Sequence, residues 1–299
     1  MTKNKWFGTD GVRGVANVFP MTADFAMRLG MAAGVKVCLE KRRVAIAKDT
    51  RISGDMLEAG LIAGFTSQGV DVVRLGVVPT PAVTTLVSDL NVDMAVMITA
   101  SHNPYQDNGI KLIAADGAKF SDEITAELEN LVEKNEFSFD SNKIGRVSDD
   151  FTQAEKYKKI ALAAAAPNAL SGMKIVADCA NGCFSEILPE ILSKLGADVV
   201  ALGCNPDGLN INRDCGSQHT EAMCAKVVEV GAALGVAVDG DGDRIIICDE
   251  KGRRLDGDQI IAYLGHYFHA NGRLKNNTVV ATIVSNPALD RFLEERGVR

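Results

Sequence analysis

The sequence predicts an α/β fold of successive three-layer α/β/α units with mostly parallel sheets. Two observations carry that prediction. Short apolar runs such as Met94–Ile98 and Leu234–Val238 alternate with longer segments of helical period. This is the rhythm of strand–helix–strand crossovers with helices on both sheet faces. These runs also break into small polar residues at their carboxyl ends, where ligands bind in open α/β sheets.

The bulk composition bounds the function. The 299 residues suffice for roughly two domains, and a 46% hydrophobic content is ample for sizeable cores. A net charge of −7 argues against a nucleic-acid surface, which needs a basic field. Lys41-Arg42-Arg43 is short and reads as a solvated helix end. No apolar run reaches the ~20 residues that span a bilayer, and the N-terminus lacks a signal peptide's apolar core. The seven cysteines are scattered without a Cys-x-x-Cys pair, as expected of reduced, mostly buried thiols in a cytoplasmic protein. Neither a nucleic-acid nor a membrane partner is expected.

Along the chain, residues 8–14 hold three glycines in seven positions, which favours tight turns over helix. Arg13 among them is either a surface arginine or a fixed guanidinium aimed at a phosphate or carboxylate. Thr22 or Asp24 can cap a helix to about residue 40. A strand at 44–47 is followed by the loop Lys48-Asp49-Thr50-Arg51. Ser53 can cap a helix to about residue 68, and 70–75 is a strand. Pro79-Thr80-Pro81 breaks the chain before a short helix. Met94–Ile98 then runs into Thr99-Ala100-Ser101-His102-Asn103-Pro104, followed by Asn108-Gly109-Ile110-Lys111. Pro104 biases Asn103 away from helix, so Ser101 is expected in a loop at a strand's carboxyl end. Right-handed crossovers set Asp49, Arg51 and Ser101 along one rim. Residues 110–114 form a strand, 116–117 a turn and 122–134 a helix. The polar stretch 135–150 reads as an irregular boundary. The second unit repeats the rhythm: helix to about 166, strand 174–178, helix to about 195, strand 199–202, a long loop 205–217, helix 221–230 and strand 234–238.

That last strand enters Asp239-Gly240-Asp241-Gly242-Asp243-Arg244. Three like charges so close are unfavourable unless a cation offsets them, and the glycines let the backbone curl so that the carboxylates converge. Hard oxygen ligands select Mg²⁺ or Ca²⁺. An EF-hand would match Asp239, Asp241, Asp243 and Glu250, but Arg244 stands where its sharp turn needs glycine, and the flanks read as strands. A surface acidic turn is the plainest alternative. A Mg²⁺ site that shares its shell with a phosphate oxygen fits best. His266 and His269 have no evident third ligand and read as packed histidines. A serine hydrolase on Ser101 lacks the Gly-x-Ser-x-Gly elbow.

Taken together, Phe7-Gly-Thr-Asp-Gly-Val-Arg13-Gly14, the Ser101 loop with Lys111, and the 239–244 motif resemble the α-D-phosphohexomutases, in that family's order and approximate spacing. The continuation Val15-Ala16-Asn17 and the segment Asn212-Arg-Asp-Cys-Gly-Ser217 look most like its bacterial amino-sugar branch. The resemblance implies an isomerase working by phosphoryl transfer, with Ser101 as the phosphoserine. Its substrate would be a sugar phosphate and its intermediate a sugar bisphosphate; for the amino-sugar branch, glucosamine 6-phosphate becomes glucosamine 1-phosphate. Phosphoglucomutase or phosphomannomutase activity is the alternative, as is a fragment that only binds Mg²⁺ and sugar phosphate. The resemblance further implies Mg²⁺ on Ser101, Asp239, Asp241 and Asp243, a proton-transfer or electrostatic role for Lys111, and phosphate contacts from Arg13 and Arg244. A base role for Lys111 would need a cationic neighbourhood to lower its pKa. His102 is poorly placed to take the Ser101 proton, yet as part of the motif it joins the catalytic candidates.

The expected organisation is 1–150 with the phosphoserine loop, 151–252 with the metal loop, and 253–299 as an incomplete third unit of helix 257–270, strand 278–284 and helix 287–296. Gly297 reads as a helix stop, and Val298-Arg299 as the first step of a further strand. The family's fourth, phosphate-binding domain is expected to be missing from this sequence. A truncated chain is therefore expected, with an unpaired edge that favours association of copies, a homodimer included.

Overall fold

The computed structural model describes residues 5–299. Phe7–Gly8 (β1) and Gly11–Val15 (β2) form a tight hairpin. Gly11 has φ +88°, and a Cβ there would lie 2.3 Å from the Ile110 carbonyl oxygen, so only glycine lets the hairpin approach the sheet this closely. The hairpin is also tied down at its start, where the Glu129 carboxylate accepts from the backbone N–H groups of Lys5, Trp6 and Phe7.

Ala23–Lys36 (α1) begins at Thr22, whose side chain accepts from Phe25 N. It stops four residues short of the expected end. The Asp93 carboxylate accepts from the backbone of Glu40, Lys41 and Arg43, and pulls the chain into its next strand. Then follow Arg43–Lys48 (β3), Gly54–Ser67 (α2), Asp71–Val77 (β4), Thr80–Leu86 (α3), Met94–Ile98 (β5), Asp107–Ala114 (β6), Asp122–Lys134 (α4) and Val147–Asp149 (β7). Ser53 does not cap α2 through its side chain; its Oγ instead accepts from Asn108 Nδ2 at 2.8 Å. The stretch 135–150 is less irregular than expected, because β7 joins the sheet edge and Asp149 takes two hydrogen bonds from Arg74.

These strands form one sheet in the order β1-β2-β6-β5-β3-β4-β7. Its β5-β3-β4-β7 half is parallel, as expected. The other half is antiparallel, because the 99–106 connection is too short for a crossover and β6 must turn back along β5. The buried strand β5 and the apolar faces of α1 and α2 make the main core.

A second sheet, β12-β11-β10-β8-β9, is built by Gln153–Ala163 (α5), Lys174–Asp178 (β8), Ile187–Lys194 (α6), Asp198–Leu202 (β9), Glu221–Val230 (α7), Leu234–Val238 (β10), Ile245–Asp249 (β11) and Arg254–Leu255 (β12). β8, β9 and β10 are parallel, and β11 returns antiparallel after the short 239–244 turn. Gly257–Ala270 (α8) and Pro287–Glu294 (α9) follow. The strand expected at 278–284 does not form. Val279 N donates to Arg299 O and Arg299 N to Asn277 O, but no ladder extends from them, and Val280, Ile283 and Val284 lie open at 88–103% exposure. A strand without a paired neighbour has nothing to stabilise it. Among the described residues no helix is long and apolar enough to cross a membrane.

Candidate active site

The carboxyl ends of β3 and β5 meet the loop that follows β10. Ser101 lies there, buried, with its backbone in the left-handed region at φ +54°. A non-glycine residue held so costs on the order of 1–3 kcal/mol and persists only where its surroundings over-determine it. Here they do. Ser101 N donates to Thr99 Oγ1, which donates to Asp49 Oδ2 at 2.7 Å. Arg51 is fully buried beside Asp49, with Nε 2.9 Å from Asp49 Oδ2. Its Nη2 donates to Ser101 O and Asn103 O, and its Nη1 to Pro104 O and Asp107 O. One planar guanidinium thus holds four carbonyls of the loop, a task its rigid fork suits. The expected rim of Asp49, Arg51 and Ser101 is present, but the first two brace the loop from beneath.

From the second sheet, the 239–244 turn delivers its carboxylates to the serine. Ser101 Oγ donates to Asp239 Oδ2 at 2.6 Å. Burial and then the Asp241 charge push the Asp239 carboxyl up to about 6. Asp241 is fully buried, and its Oδ2 accepts from Thr80 Oγ1 at 2.6 Å and Lys111 Nζ at 2.8 Å. Lys111 Nζ also lies 3.2 Å from Asp243 and 3.1 Å from Asp10. Burial alone would lower the Lys111 pKa, but these carboxylates outweigh it and the net shift is upward. The neighbourhood is anionic, the reverse of what would make Lys111 a free base.

The remaining candidates ring the same point. Arg13 Nη2 donates to Asp10 Oδ2 at 2.7 Å. Arg13 and Arg244, with Trp6 and residues 8–11, line an open cavity of about 400 Å³. Two guanidiniums on one cavity suit an anion of phosphate geometry. His102 Nδ1 lies 3.3 Å from Ser101 Oγ. Partial burial, then the charges of Arg244 and Arg13, lower its pKa and favour neutral imidazole. His266 and His269 are elsewhere, against Phe292 and Asn277.

The donor set fits a hard cation. Asp239, Asp241 and Asp243 each offer an oxygen within 4.8 Å of the others. Asp241 Oδ1 is buried without a hydrogen-bond partner among the described residues, a costly state that a cation would relieve. Three groups here escaped the sequence reading. Asp10, and Asn212 whose Nδ2 donates to Ser101 O at 2.8 Å, lie inside the 7–14 and 212–217 motifs, but nothing in the sequence gives them partners. Thr80 sits between two prolines, where only a turn was legible.

Known proteins match this chain along its length. The family models described as phosphoglucomutase/phosphomannomutase α/β/α domains I, II and III match residues 4–139, 152–252 and 256–299. A phosphoglucosamine mutase of Paramagnetospirillum magneticum is 49% identical, with 99% of this chain and 66% of the relative covered. One from Rhodospirillum rubrum is 48% identical, with 100% and 67% covered. The chain thus spans about two thirds of the length of these curated relatives. Among solved structures, a Burkholderia thailandensis phosphoglucomutase/phosphomannomutase family protein superposes with a TM-score of 0.85 at 26% identity, over 100% of this chain and 66% of that one. An Aspergillus fumigatus N-acetylphosphoglucosamine mutase, solved with GlcNAc-6P and magnesium, shares the fold at a TM-score of 0.60 and 17% identity, over 99% of this chain and 62% of that one.

Proposed function

Because the chain belongs to the phosphoglucomutase/phosphomannomutase family, we propose that it serves phosphoglucosamine mutase chemistry, interconverting glucosamine 6-phosphate and glucosamine 1-phosphate. The observation that carries the reading is Ser101 Oγ, 2.6 Å from Asp239 in a carboxylate triad whose Asp239 and Asp241 are buried and whose Asp243 is exposed. In this reading residues 1–150 hold the phosphoserine loop, 151–252 hold the metal loop and 253–299 begin a third unit. The place of action is cytoplasmic, in keeping with seven free thiols. The names of the relatives support the amino sugar as substrate.

Phosphorylated Ser101 donates to the free hydroxyl of a sugar phosphate. The bond from phosphorus to Oγ breaks as the bond to the sugar oxygen forms. The sugar hydroxyl gives up its proton and the serine oxygen regains one. The bisphosphate turns over in the site, and its other phosphoryl group returns to Ser101. Such transfers need little beyond positioning and charge stabilisation. Arg13 and Arg244 face the cavity where the phosphates would lie. Lys111, 2.8 Å from Asp241 and 3.1 Å from Asp10, brings positive charge to the reacting group in this reading. In this reading Asp239, 2.6 Å from Ser101 Oγ, handles its proton, and His102, whose Nδ1 comes to 3.3 Å despite the adjacency in sequence that counts against it, is the second group in reach. Mg²⁺ held by Asp239, Asp241, Asp243 and a phosphoserine oxygen would supply neutralisation of the transferring group's charge.

The test is to incubate the chain with Mg²⁺ and glucosamine 1,6-bisphosphate and locate phosphate by peptide mass spectrometry. Phosphate is expected on Ser101 and on no residue of Ser101→Ala. Labelling that persists in Ser101→Ala, or none in the native chain, overturns the reading. Repeating the incubation with glucose and mannose bisphosphates tests the amino-sugar preference, which fails if either labels faster.

A further inference from the structure

The phosphoserine loop is gripped from both sheets. Ser101 O and Asn103 O each accept from Arg51 Nη2, at 3.0 and 2.8 Å, within the first sheet's own unit. The same two carbonyls also accept from Asn212 Nδ2, at 2.8 and 3.0 Å, which comes from the long loop after β9. Asn212 is 7% exposed, and its own N–H donates to Ala180 O at 2.8 Å, just beyond β8. The loop that holds Asn212 also touches the metal turn: a Cβ on Gly240 would lie 2.6 Å from Ile211, and 2.9 Å from Ser101 O. Ile211-Asn212 therefore wedges between the serine loop and the aspartate turn.

We infer that Asn212 is a positioning residue for phosphoryl transfer, setting Ser101 against the carboxylate turn by donating one amide to both loop carbonyls. The chemistry requires a donor, because both targets are acceptors. It also requires a residue that tolerates the left-handed backbone, since Asn212 has φ +58°. Asparagine satisfies both. Alanine would confound the loss of the donor with backbone strain, so two other replacements test the idea. Asn212→Asp keeps shape and backbone tolerance but turns the donor into an acceptor facing two carbonyl oxygens. Asn212→Gly keeps backbone tolerance and removes the side chain.

The inference rests on the phosphoserine reading, so two measurements are made on native chain and both variants. In the first, the rate of Ser101 phosphorylation by glucosamine 1,6-bisphosphate is expected to fall roughly 10- to 100-fold, with Asn212→Asp the slower variant and the bisphosphate concentration for half-maximal rate little changed. In the second, hydrogen exchange of the amides at 101–107 is expected to rise in both variants, while β8 and β10 keep their native protection. A native chain that is labelled while both variants match it overturns the role of Asn212 alone. A native chain that is not labelled overturns the phosphoserine reading, and exchange then decides the rest. Unchanged exchange at 101–107 shows that Asn212 does not hold the loop. Should Asn212→Asp fail to fold, Asn212→Gly gives the same decision.

Discussion

At the scale of single residues, Arg51 is the strongest determinant of the site outside the reacting groups. Its side chain is entirely buried against an equally buried Asp49. A buried pair is weak evidence of net stabilisation, but removing one member strands the other charge, at about 3–5 kcal/mol. Arg51→Ala is therefore expected to lower unfolding free energy by about that amount, measured by urea denaturation. Arg51→Lys should recover only part of it, since an ammonium cannot span four carbonyls in one plane. A loss below about 1 kcal/mol for Arg51→Ala would show that the loop finds other donors. The sequence made Ser101 legible through its strand, its proline and its company, and Asp239, Asp241 and Asp243 through their charge density. Arg51 was legible only as a neighbour on the rim. Its burial depends on carbonyls some fifty residues away, which no local pattern encodes.

At the scale of elements, the α1–α2 contact shows what periodicity hides. Both helices carry glycines that look like weak helix positions. A Cβ on Gly64 would lie 2.1 Å from Met27 O, on Gly60 2.5 Å from Ala23 O, and on Gly30 2.7 Å from Leu61 O. The missing side chains let two helix backbones touch. Gly64→Ala gains helix propensity but meets backbone, which cannot swing aside. The overpacking cost, roughly 1–3 kcal/mol, should win, and calorimetry should find a lower Tm. A raised Tm would mean that the helices separate freely. The β5 run was legible because five consecutive buried apolar residues admit few other readings. The stretch 278–284 has a similarly apolar composition, yet remains open. Strand propensity reports fit to a sheet, so a pattern without a neighbour predicts an element that does not form.

At the scale of the whole molecule, the candidate site is a joint between two sheets. Thr80 and Lys111 from the first grip Asp241 from the second, and Ser101 reaches Asp239 across the same seam. A cation held by the aspartates would bind the folded joint and not the unfolded chain, so Mg²⁺ should stabilise the protein by mass action. At a hundredfold excess over its dissociation constant the gain is about 2.7 kcal/mol. For a chain of this size that is an upward Tm shift of several degrees, reversed by EDTA. Asp241→Asn should largely abolish the Mg²⁺-dependent shift, because it weakens the one ligand whose free oxygen is already buried and unpartnered. The same variant should unfold no more easily than the native chain without Mg²⁺, since it also relieves the repulsion among three close carboxylates. Lys111 would then have less to neutralise. An equal Mg²⁺ shift in native chain and variant would place the cation elsewhere. No shift in the native chain at millimolar Mg²⁺ would mean that Lys111 alone balances the triad.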